Sequence, residues 1–439
     1  MSSPKKVSIV TLGCAKNQSD TDNLKALLEK RGHAVGADAS EADAIVVHTC
    51  SFIEAAKRES LEAIMEAAKA KGAGKQLIVT GCMVQQHGKE LLTELPEADA
   101  LLGTGQLAQV PDLIAAPRAR FLDRANPGGL MDPDADAIRE VKGPTAYLRL
   151  SEGCSHPCSF CVIPRLRGGV KSRTEEQVLG EAWKLAAQGV QEFVVIGQDT
   201  GDWGRDLPDG RALARLLRRL REVPGVRWIR LMYMHPFSFS DELIDVFAET
   251  PEKFPYLDMP LQHIDDRMLS VMKRKLGEKE TRGHVERIRA RLPDLSFRTT
   301  FIVGFPGETE GEFERLRAFV KEGHFDYLGA FAYSQEEGTP AGLMKEQLPE
   351  DVKKARADAV SEAHFDNAHA KAQKRLGTVE TVVIESEEGD EVIARSRREA
   401  PEIDAIIRLP ASASRGGRFV SARLTGYDSF EFTAEPADR

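Results

Sequence analysis

The sequence predicts an α/β protein made of an N-terminal open parallel sheet, a central partial barrel of six βα units and a small C-terminal β-barrel. Three observations indicate this fold. Apolar strand segments alternate with helical segments up to about residue 115, the same alternation resumes near residue 146, and the last sixty or so residues contain only short strands between turn residues. We place the domain boundaries at 1–125, 140–372 and 373–439.

The N-terminal part reads as successive βα units. Cys14, Cys50 and Cys82 each come just after a predicted strand. Parallel strands place their carboxyl ends along one edge of a sheet, where open α/β sheets bind ligands, so the three thiols should converge. Taken singly, each cysteine would more often be an inert core residue. The predicted strands are 7–12, 44–48, 77–80 and 98–102, with helices that include 17–31 and 107–115.

The central part follows a predicted linker over 117–143, which is rich in Pro, Gly and charged residues. Its βα units should form a barrel open on one side, with chemistry at the carboxyl ends of the strands. The predicted strands are 146–150, 192–196, 227–232, 256–261, 297–303 and 326–333, with helices that include 175–188, 212–222 and 312–322.

The first central strand leads into a short loop that carries Cys154, Cys158 and Cys161. Three thiolates fill three of the four cysteine positions of a complete [4Fe–4S] site, which would leave one iron open to a ligand. A structural zinc site is the alternative, but closed zinc sites use four ligands. His156 could supply the fourth, although strain would limit ligation from a position between two cysteines.

Polar segments also follow the later central strands. They contain Gln198, Asp199, His235, Gln262 and His263, and a further Gly-Phe-Pro-Gly-Glu segment spans 304–308. Each segment alone could be turn chemistry. Because they follow strand ends, we expect them to face the mouth of the barrel.

The C-terminal part starts with a charged helix from about Pro349 to near Leu376. The short strands that follow are typical of a small binding module. Residues 376–439 contain 8 Arg and no Lys against 13 Asp and Glu, a net charge of -5. The predicted strands are 378–385, 391–397, 405–409, 418–424 and 429–434.

Composition excludes several classes of protein. At 439 residues and 41% hydrophobic, the chain can bury the cores of two or three domains. No stretch approaches the roughly 20 apolar residues of a membrane span, and no secretory signal is evident. We therefore expect a cytoplasmic protein whose cysteines bind metal or react. The net charge of -9 argues against broad binding to nucleic acid.

The spacing Cys-x-x-x-Cys-x-aromatic-Cys resembles the signature of the radical S-adenosylmethionine enzymes. Nearly the whole chain resembles one family of them, the methylthiotransferases, which end in a TRAM β-barrel. The three strand-end cysteines, the Cys154 loop, the 304–308 segment and the terminal barrel match in order. Segments 161–173, 197–200 and 256–263 look more like the branch that acts on small-subunit ribosomal protein S-twelve than the branches that act on transfer RNA adenosine.

The resemblance implies two [4Fe–4S] clusters. The cluster on Cys154, Cys158 and Cys161 would cleave S-adenosylmethionine, and the deoxyadenosyl radical would take hydrogen from the β-carbon of an aspartate. The cluster on the other three cysteines would hold the sulfur, which a second S-adenosylmethionine methylates. An electron donor such as flavodoxin or ferredoxin is implied. No catalytic residue beyond the cluster ligands is predicted. We expect S-adenosylmethionine contacts from Phe160, Gln198, Asp199, His235, Gln262 and Arg298.

Two other functions stay open at this point. A simple iron–sulfur electron carrier would not need a barrel of six βα units. Methylthiolation of transfer RNA is the nearer alternative, but an RNA-binding module should be positively charged, and the C-terminal segment has a net charge of -5.

Overall fold

The computed structural model describes residues 4–115, 121–124, 139–141, 143–208, 210 and 212–437. Within these residues the chain forms three main sheets in sequence order. The linker predicted over 117–143 lies mostly outside the described residues. No described helix combines the length and the apolar character needed to cross a membrane.

The first sheet has six parallel strands in the order β2-β1-β3-β4-β5-β6. The four predicted strands are confirmed, whereas β2 and β6 were missed because two or three residues are too short to show a periodic pattern. The strands are β1 Lys6–Thr11, β2 Ala34–Val35, β3 Ala44–Thr49, β4 Gln76–Gly81, β5 Ala100–Leu102 and β6 Phe121–Asp123, and the helices are α1 Ala15–Lys30, α2 Glu54–Ala70, α3 Cys82–Glu94 and α4 Val110–Ala115.

Helices cover both faces of this sheet, as predicted. Val46 of β3 points to a core that includes Leu24 and Leu28 of α1. Its neighbour Val47 points to a second core that includes Ile64 of α2. Alternate residues of a strand face opposite sides, so one strand feeds both cores.

The second sheet is parallel and open, in the order β14-β13-β12-β11-β10-β7, with β7 and β14 as its edges. All six predicted strands are present, and the missed β8 and β9 form a small antiparallel pair. The strands are β7 Thr145–Arg149, β8 Ser151–Glu152, β9 Lys171–Ser172, β10 Glu192–Ile196, β11 Trp228–Leu231, β12 Tyr256–Asp258, β13 Ser296–Val303 and β14 Tyr327–Ala332, and the helices are α5 Ile163–Arg167, α6 Glu175–Ala187, α7 Leu213–Leu220, α8 Asp241–Glu249, α9 Asp266–Val271, α10 Glu278–Arg291 and α11 Glu310–Lys321.

A long helix, α12 Glu350–Gln373, leads to a closed barrel in the strand order β15-β16-β17-β19-β18. This confirms the predicted C-terminal β-barrel. Its strands are β15 Val379–Glu388, β16 Glu391–Ser396, β17 Ile406–Pro410, β18 Phe419–Asp428 and β19 Glu431–Pro436.

The central sheet contacts both other parts. Val194, Ile196 and Met232 of the central part share one apolar core with the C-terminal barrel. On another side, Arg149 at the end of β7 forms a buried ion pair with Asp20 of α1. These contacts bring the strand ends of the N-terminal sheet against the cysteine loop that follows β7.

Candidate active site

The three N-terminal cysteines lie together at the carboxyl edge of the first sheet. Cys14 precedes α1, Cys50 follows β3, and Cys82 begins α3. Gly13 approaches Cys50 so closely that a Cβ on it would lie 2.6 Å from the Cys50 Cβ. The Cys50 thiol also interacts electrostatically with Cys82 and Cys14. The structure therefore brings the N-terminal triad together, as strand order predicted.

Positive charge lies beside this N-terminal triad. Burial raises the pKa of the Cys50 thiol to about 12 and also raises the pKa of Cys82. Burial opposes ionisation of Cys14 as well, but Lys16, Arg167 and backbone N–H groups outweigh it and lower the Cys14 pKa. An iron–sulfur cluster binds thiolates, so metal ligation would relieve the cost of burying these groups. The donor set therefore fits a three-cysteine cluster.

The second triad occupies the loop between β8 and α5. The Cys154 N–H donates to the carbonyl of Gly168 (3.1 Å), and the Cys161 N–H donates to the carbonyl of Cys158 (3.1 Å). Burial raises the pKa of Cys154 and of Cys161 to about 12. The Arg274 guanidinium donates to the Cys158 sulfur at 3.4 Å, which places a cation at this triad too. All six cysteines are free thiols.

His156, between two of these cysteines, faces carboxylates. Its Nε2 lies 2.6 Å from Asp199 Oδ2 and 3.2 Å from Asp202 Oδ2. Burial opposes the imidazolium, but the two carboxylates outweigh it and raise the pKa of His156 to about 9. These two carboxylates therefore fix the orientation of the His156 ring.

Asp199 was predicted to contact S-adenosylmethionine, yet its oxygens already have protein partners. Oδ1 accepts from the N–H groups of Gly201 (2.9 Å) and His235 (3.1 Å), and Oδ2 is paired with His156. The side chain is buried. Asp199 therefore orients His156 of the cysteine loop and the backbone of His235.

His235 presents an unused donor at the end of β11. Its ring stacks on His156 with centroids 4.1 Å apart. Burial, with Arg274 and His156, lowers the pKa of His235 to about 2, and its Nδ1 accepts from the N–H of Phe237 at 3.2 Å. The ring is therefore neutral with its proton on Nε2, which has no hydrogen-bond partner within the described part of the chain.

Two unused acceptors follow β10 and β12, the strands on either side of β11. Gln198, after β10, donates through Nε2 to Glu152 (2.8 Å), and its Oε1 is buried without a partner among the described residues. Gln262, after β12, also has a buried Oε1 without a partner among the described residues, and its backbone is left-handed at φ +72°. Buried polar atoms are normally satisfied, and left-handed backbone in a non-glycine residue concentrates at functional sites. These acceptors and the His235 donor fit an amino-acid ligand.

The other predicted residues lie in different surroundings. Phe160 packs beside the cluster of Met268, Met272 and Phe305. Arg298 is paired with two carboxylates, Asp258 at 3.1 Å and Asp404 of the C-terminal part at 3.5 Å. His263, expected at the barrel mouth, is fully buried against Glu308 at 3.1 Å. His263 is therefore a structural histidine.

Sequence reasoning missed the charged residues that join the two triads. Arg167 of α5 is buried; it donates to Glu152 at 3.1 Å and to Asn17 Oδ1 of α1 at 2.6 Å, and it hydrogen-bonds the Cys82 thiol. Single charged residues of this kind leave no periodic signal in a sequence. Arg167 nevertheless links the loop of one triad to the ligands of the other.

A cavity of about 1060 Å³ lies elsewhere, between the starts of the central strands, α12 and the C-terminal barrel. Arg227, Lys374 and Arg398 are among the residues that line it, and none of the predicted site residues does. It is therefore separate from the cysteine site.

Comparison with known families divides the chain as the sheets do. Residues 6–103 match the uncharacterized protein family UPF0004, residues 148–320 match the radical SAM superfamily, and residues 376–436 match the TRAM domain. Among solved structures, the radical S-adenosylmethionine methyltransferase TsrM from Kitasatospora setae is similar with a TM-score of 0.54 and 17% identity, over 77% of each chain. That likeness shows the shared fold.

Curated relatives are much closer in sequence. The ribosomal protein uS12 methylthiotransferase RimO of Symbiobacterium thermophilum is 42% identical over 99% of this chain and 92% of its own length. The protein of the same name from Syntrophotalea carbinolica is 41% identical over 99% of this chain and 97% of its own length.

The fold, the three-cysteine loop and the family matches define a radical S-adenosylmethionine enzyme, and specifically a transferase. Its cofactors are S-adenosylmethionine and [4Fe–4S] clusters. Within that class, the chain belongs to the family of ribosomal protein uS12 methylthiotransferases.

Proposed function

We propose that this chain inserts a methylthio group at the β-carbon of an aspartate in ribosomal protein uS12. The observation that carries the proposal is the meeting of two three-cysteine triads at one interface, joined by Arg167. Replacing an unactivated C–H bond by C–S–CH₃ needs both a radical and a sulfur source, so two separate clusters have a chemical reason. The curated relatives carry the same substrate in their names.

Each part of the chain then has a task. Cys154, Cys158 and Cys161 would hold the cluster that binds S-adenosylmethionine, and the N-terminal triad would hold the cluster that carries sulfur. The division at 1–125, 140–372 and 373–439 follows the three sheets, and the terminal TRAM barrel would recognise the substrate. When bound, the clusters and S-adenosylmethionine supply the electron, the radical and the methylthio group.

The chain's own groups orient the cofactor and exclude water. His235 offers its Nε2–H as a donor, and Gln198 and Gln262 each offer a buried oxygen as an acceptor. His156 and Asp199 fix the cysteine loop and the His235 backbone. We also propose that Phe160 and Arg298 contact S-adenosylmethionine. The ion pair of Arg298 with Asp258 gives this arginine a positioning role as well.

The partners follow from this chemistry. Reduction would come from a small electron-transfer protein such as flavodoxin or ferredoxin, and the place of action would be the cytoplasm, where ribosomal proteins are assembled. The predicted weakness of nucleic-acid binding stays part of the proposal.

The test compares uS12 from cells with and without the gene by mass spectrometry of intact ribosomal proteins and their peptides. We expect uS12 to gain one methylthio group in place of hydrogen at one aspartate only when the gene is present. A gene copy with Cys154→Ala provides the matched control and should leave uS12 unmodified. If uS12 is unchanged while a methylthio-adenosine disappears from transfer RNA digests of the deletion strain, the proposed substrate is wrong.

A further inference from the structure

Lys16 is a buried cation that has no carboxylate partner among the described residues. It lies in the first turn of α1, two residues after Cys14, and is only 7% exposed. Within the described part of the chain, its ammonium forms no ion pair with a carboxylate. Its one described contact is with the face of the Tyr233 ring, whose centroid is 3.5 Å from the ammonium nitrogen. A cation–π contact recovers only part of the cost of burying an unpaired charge.

The position of Lys16 is as informative as its burial. Its charge acts on the thiol of Cys14 in the N-terminal triad and also on the thiol of Cys161 in the central triad. The ammonium therefore lies within electrostatic reach of both triads. A substrate that receives a sulfur at one triad after losing hydrogen at the other must reach the space between them.

Tyr233 fixes the other side of this space. It follows β11 with a left-handed backbone at φ +58°, and its N–H donates to Asp258 at 3.1 Å. Such a conformation in a bulky residue is a strained exception that the surroundings must impose. This backbone conformation places the Tyr233 ring against Lys16.

From these observations we propose that Lys16 binds the carboxylate of the target side chain and holds it between the two clusters. The inference rests on the proposed function, in which the reacting carbon is next to a carboxylate. That carboxylate loses its water on entering a buried site and needs a charged partner there. The same cation gives no comparable stabilisation to a neutral nucleobase, so Lys16 would also select a protein carboxylate over transfer RNA.

Variants that remove the charge from Lys16 or from the target aspartate test this proposal. The affinity for uS12 is measured with the full-length, cluster-loaded chain in the presence of S-adenosylmethionine. The wild type, Lys16→Met and Lys16→Arg are each tested with native uS12 and with uS12 in which asparagine replaces the target aspartate. We expect the wild type to bind the aspartate form roughly 10- to 100-fold more tightly than the asparagine form. Lys16→Met should lose most of this preference, and Lys16→Arg should restore part of it.

A purely structural or cluster-supporting role gives a different pattern. Lys16→Met would then weaken both forms of uS12 equally or lose iron, and either result would overturn the proposal. Lys75→Met is the matched control, since the Lys75 ammonium already donates to the carbonyls of Ala39 (3.0 Å) and Ser40 (2.6 Å), and it should keep the wild-type preference. If the wild type modifies no uS12 at all, the proposed function fails instead.

Discussion

At the scale of single residues, the site depends on charges placed beside thiols. Arg167 hydrogen-bonds the Cys82 thiol of the N-terminal triad, and Arg274 donates to the Cys158 sulfur at 3.4 Å. Burial raises the pKa of several thiols and so disfavours the thiolates that iron requires. A nearby guanidinium favours the thiolate and offsets part of that cost. The sequence predicted three of the cysteines from their place after strands and the other three from their spacing in one loop. It did not predict Arg167, Arg274 or Lys16, because their roles depend on contacts between distant segments.

The two triads should load iron independently. Anaerobic reconstitution of the wild type should give about eight irons per chain, since each [4Fe–4S] cluster holds four. Replacing Cys154, Cys158 and Cys161 by Ala should leave about half, and so should replacing Cys14, Cys50 and Cys82. Iron and sulfide analysis with Mössbauer spectroscopy measures this.

The same variants separate the roles of the triads. The chain without the N-terminal triad should make no methylthio product yet still cleave some S-adenosylmethionine to deoxyadenosine, because radical formation uses the central loop. Full product formation by that chain would show that the N-terminal triad does not carry the sulfur. Loss of all iron from either variant would contradict independent sites.

At the scale of elements, strand ends and the turns after them build the site. Hydrophobic alternation predicted the main strands, and strand order then placed the thiols, because parallel strands end at one edge. The two-residue strands were missed because they are too short to show a pattern. Gln198, His235 and Gln262 were predicted from the family resemblance, since their segments alone look like ordinary turns. Only the fold shows that His235 is neutral and that His263 is a buried structural residue.

The turn after β1 gives a direct test at this scale. Gly13 has φ +94°, and a Cβ there would lie 2.6 Å from the Cys50 Cβ and 2.8 Å from its sulfur. Gly13→Ala should therefore push Cys50 away and lower the iron content to about half, with loss of methylthio product. Gly36→Ala is the matched control, because Gly36 has φ +95° but no atom within 4 Å of the added Cβ.

The control variant bears the same backbone strain without the clash. It should cost only about 1–2 kcal/mol of stability and keep all its iron. Equal iron loss from both variants, measured in parallel reconstitutions, would mean that strain in the turn, and not contact with Cys50, governs the triad.

At the scale of the whole molecule, a buried ion cluster fixes the C-terminal barrel to the central sheet. Glu192 of β10 is fully buried between Arg230 of β11 and Arg395 of β16. Arg230 also donates to the backbone carbonyls of Ser396 (3.0 Å) and Arg397 (2.8 Å). The sequence predicted both barrels but not how they pack, since a charged residue in a strand normally indicates a solvent-facing position.

Glu192→Gln should loosen this junction. Removing one partner of a buried ion cluster leaves uncompensated charge and costs about 3–5 kcal/mol. Burial opposes ionisation of Glu192, but Arg395 and Arg230 lower its pKa to about 2 from the usual 4.5. Its stabilisation is therefore complete above about pH 4.5 and is lost as the pH falls toward 2.

Urea unfolding followed by tryptophan fluorescence measures the effect, because Trp228 contacts Phe419 of the C-terminal barrel with ring centroids 5.2 Å apart. The difference between wild type and variant should be largest near pH 7 and shrink below pH 4.5. Glu249→Gln, which removes an exposed partner of Arg218 and Arg221, should change little. A pH-independent difference would rule out the ionised Glu192 as its cause.

The charge of the C-terminal barrel should select a basic protein partner. Its acidic residues are exposed at the turn between β15 and β16, where Glu387 and Asp390 form no ion pair within the described part of the chain. Ribosomal proteins are generally rich in Lys and Arg, so complementary charge would raise the association rate with uS12 and repel phosphate.

Glu387→Lys with Asp390→Lys should slow uS12 association roughly 10-fold at low salt, measured by stopped-flow fluorescence. The difference should fade near 1 M salt, where the Debye length is about 3 Å. Glu222→Lys with Glu286→Lys makes the same change in net charge on the outside of the central barrel, in the turn after α7 and on α10, and should have a smaller effect. Equal slowing by both double variants would assign the effect to total charge, and unchanged association in the first would leave these acidic groups with a role in solubility alone.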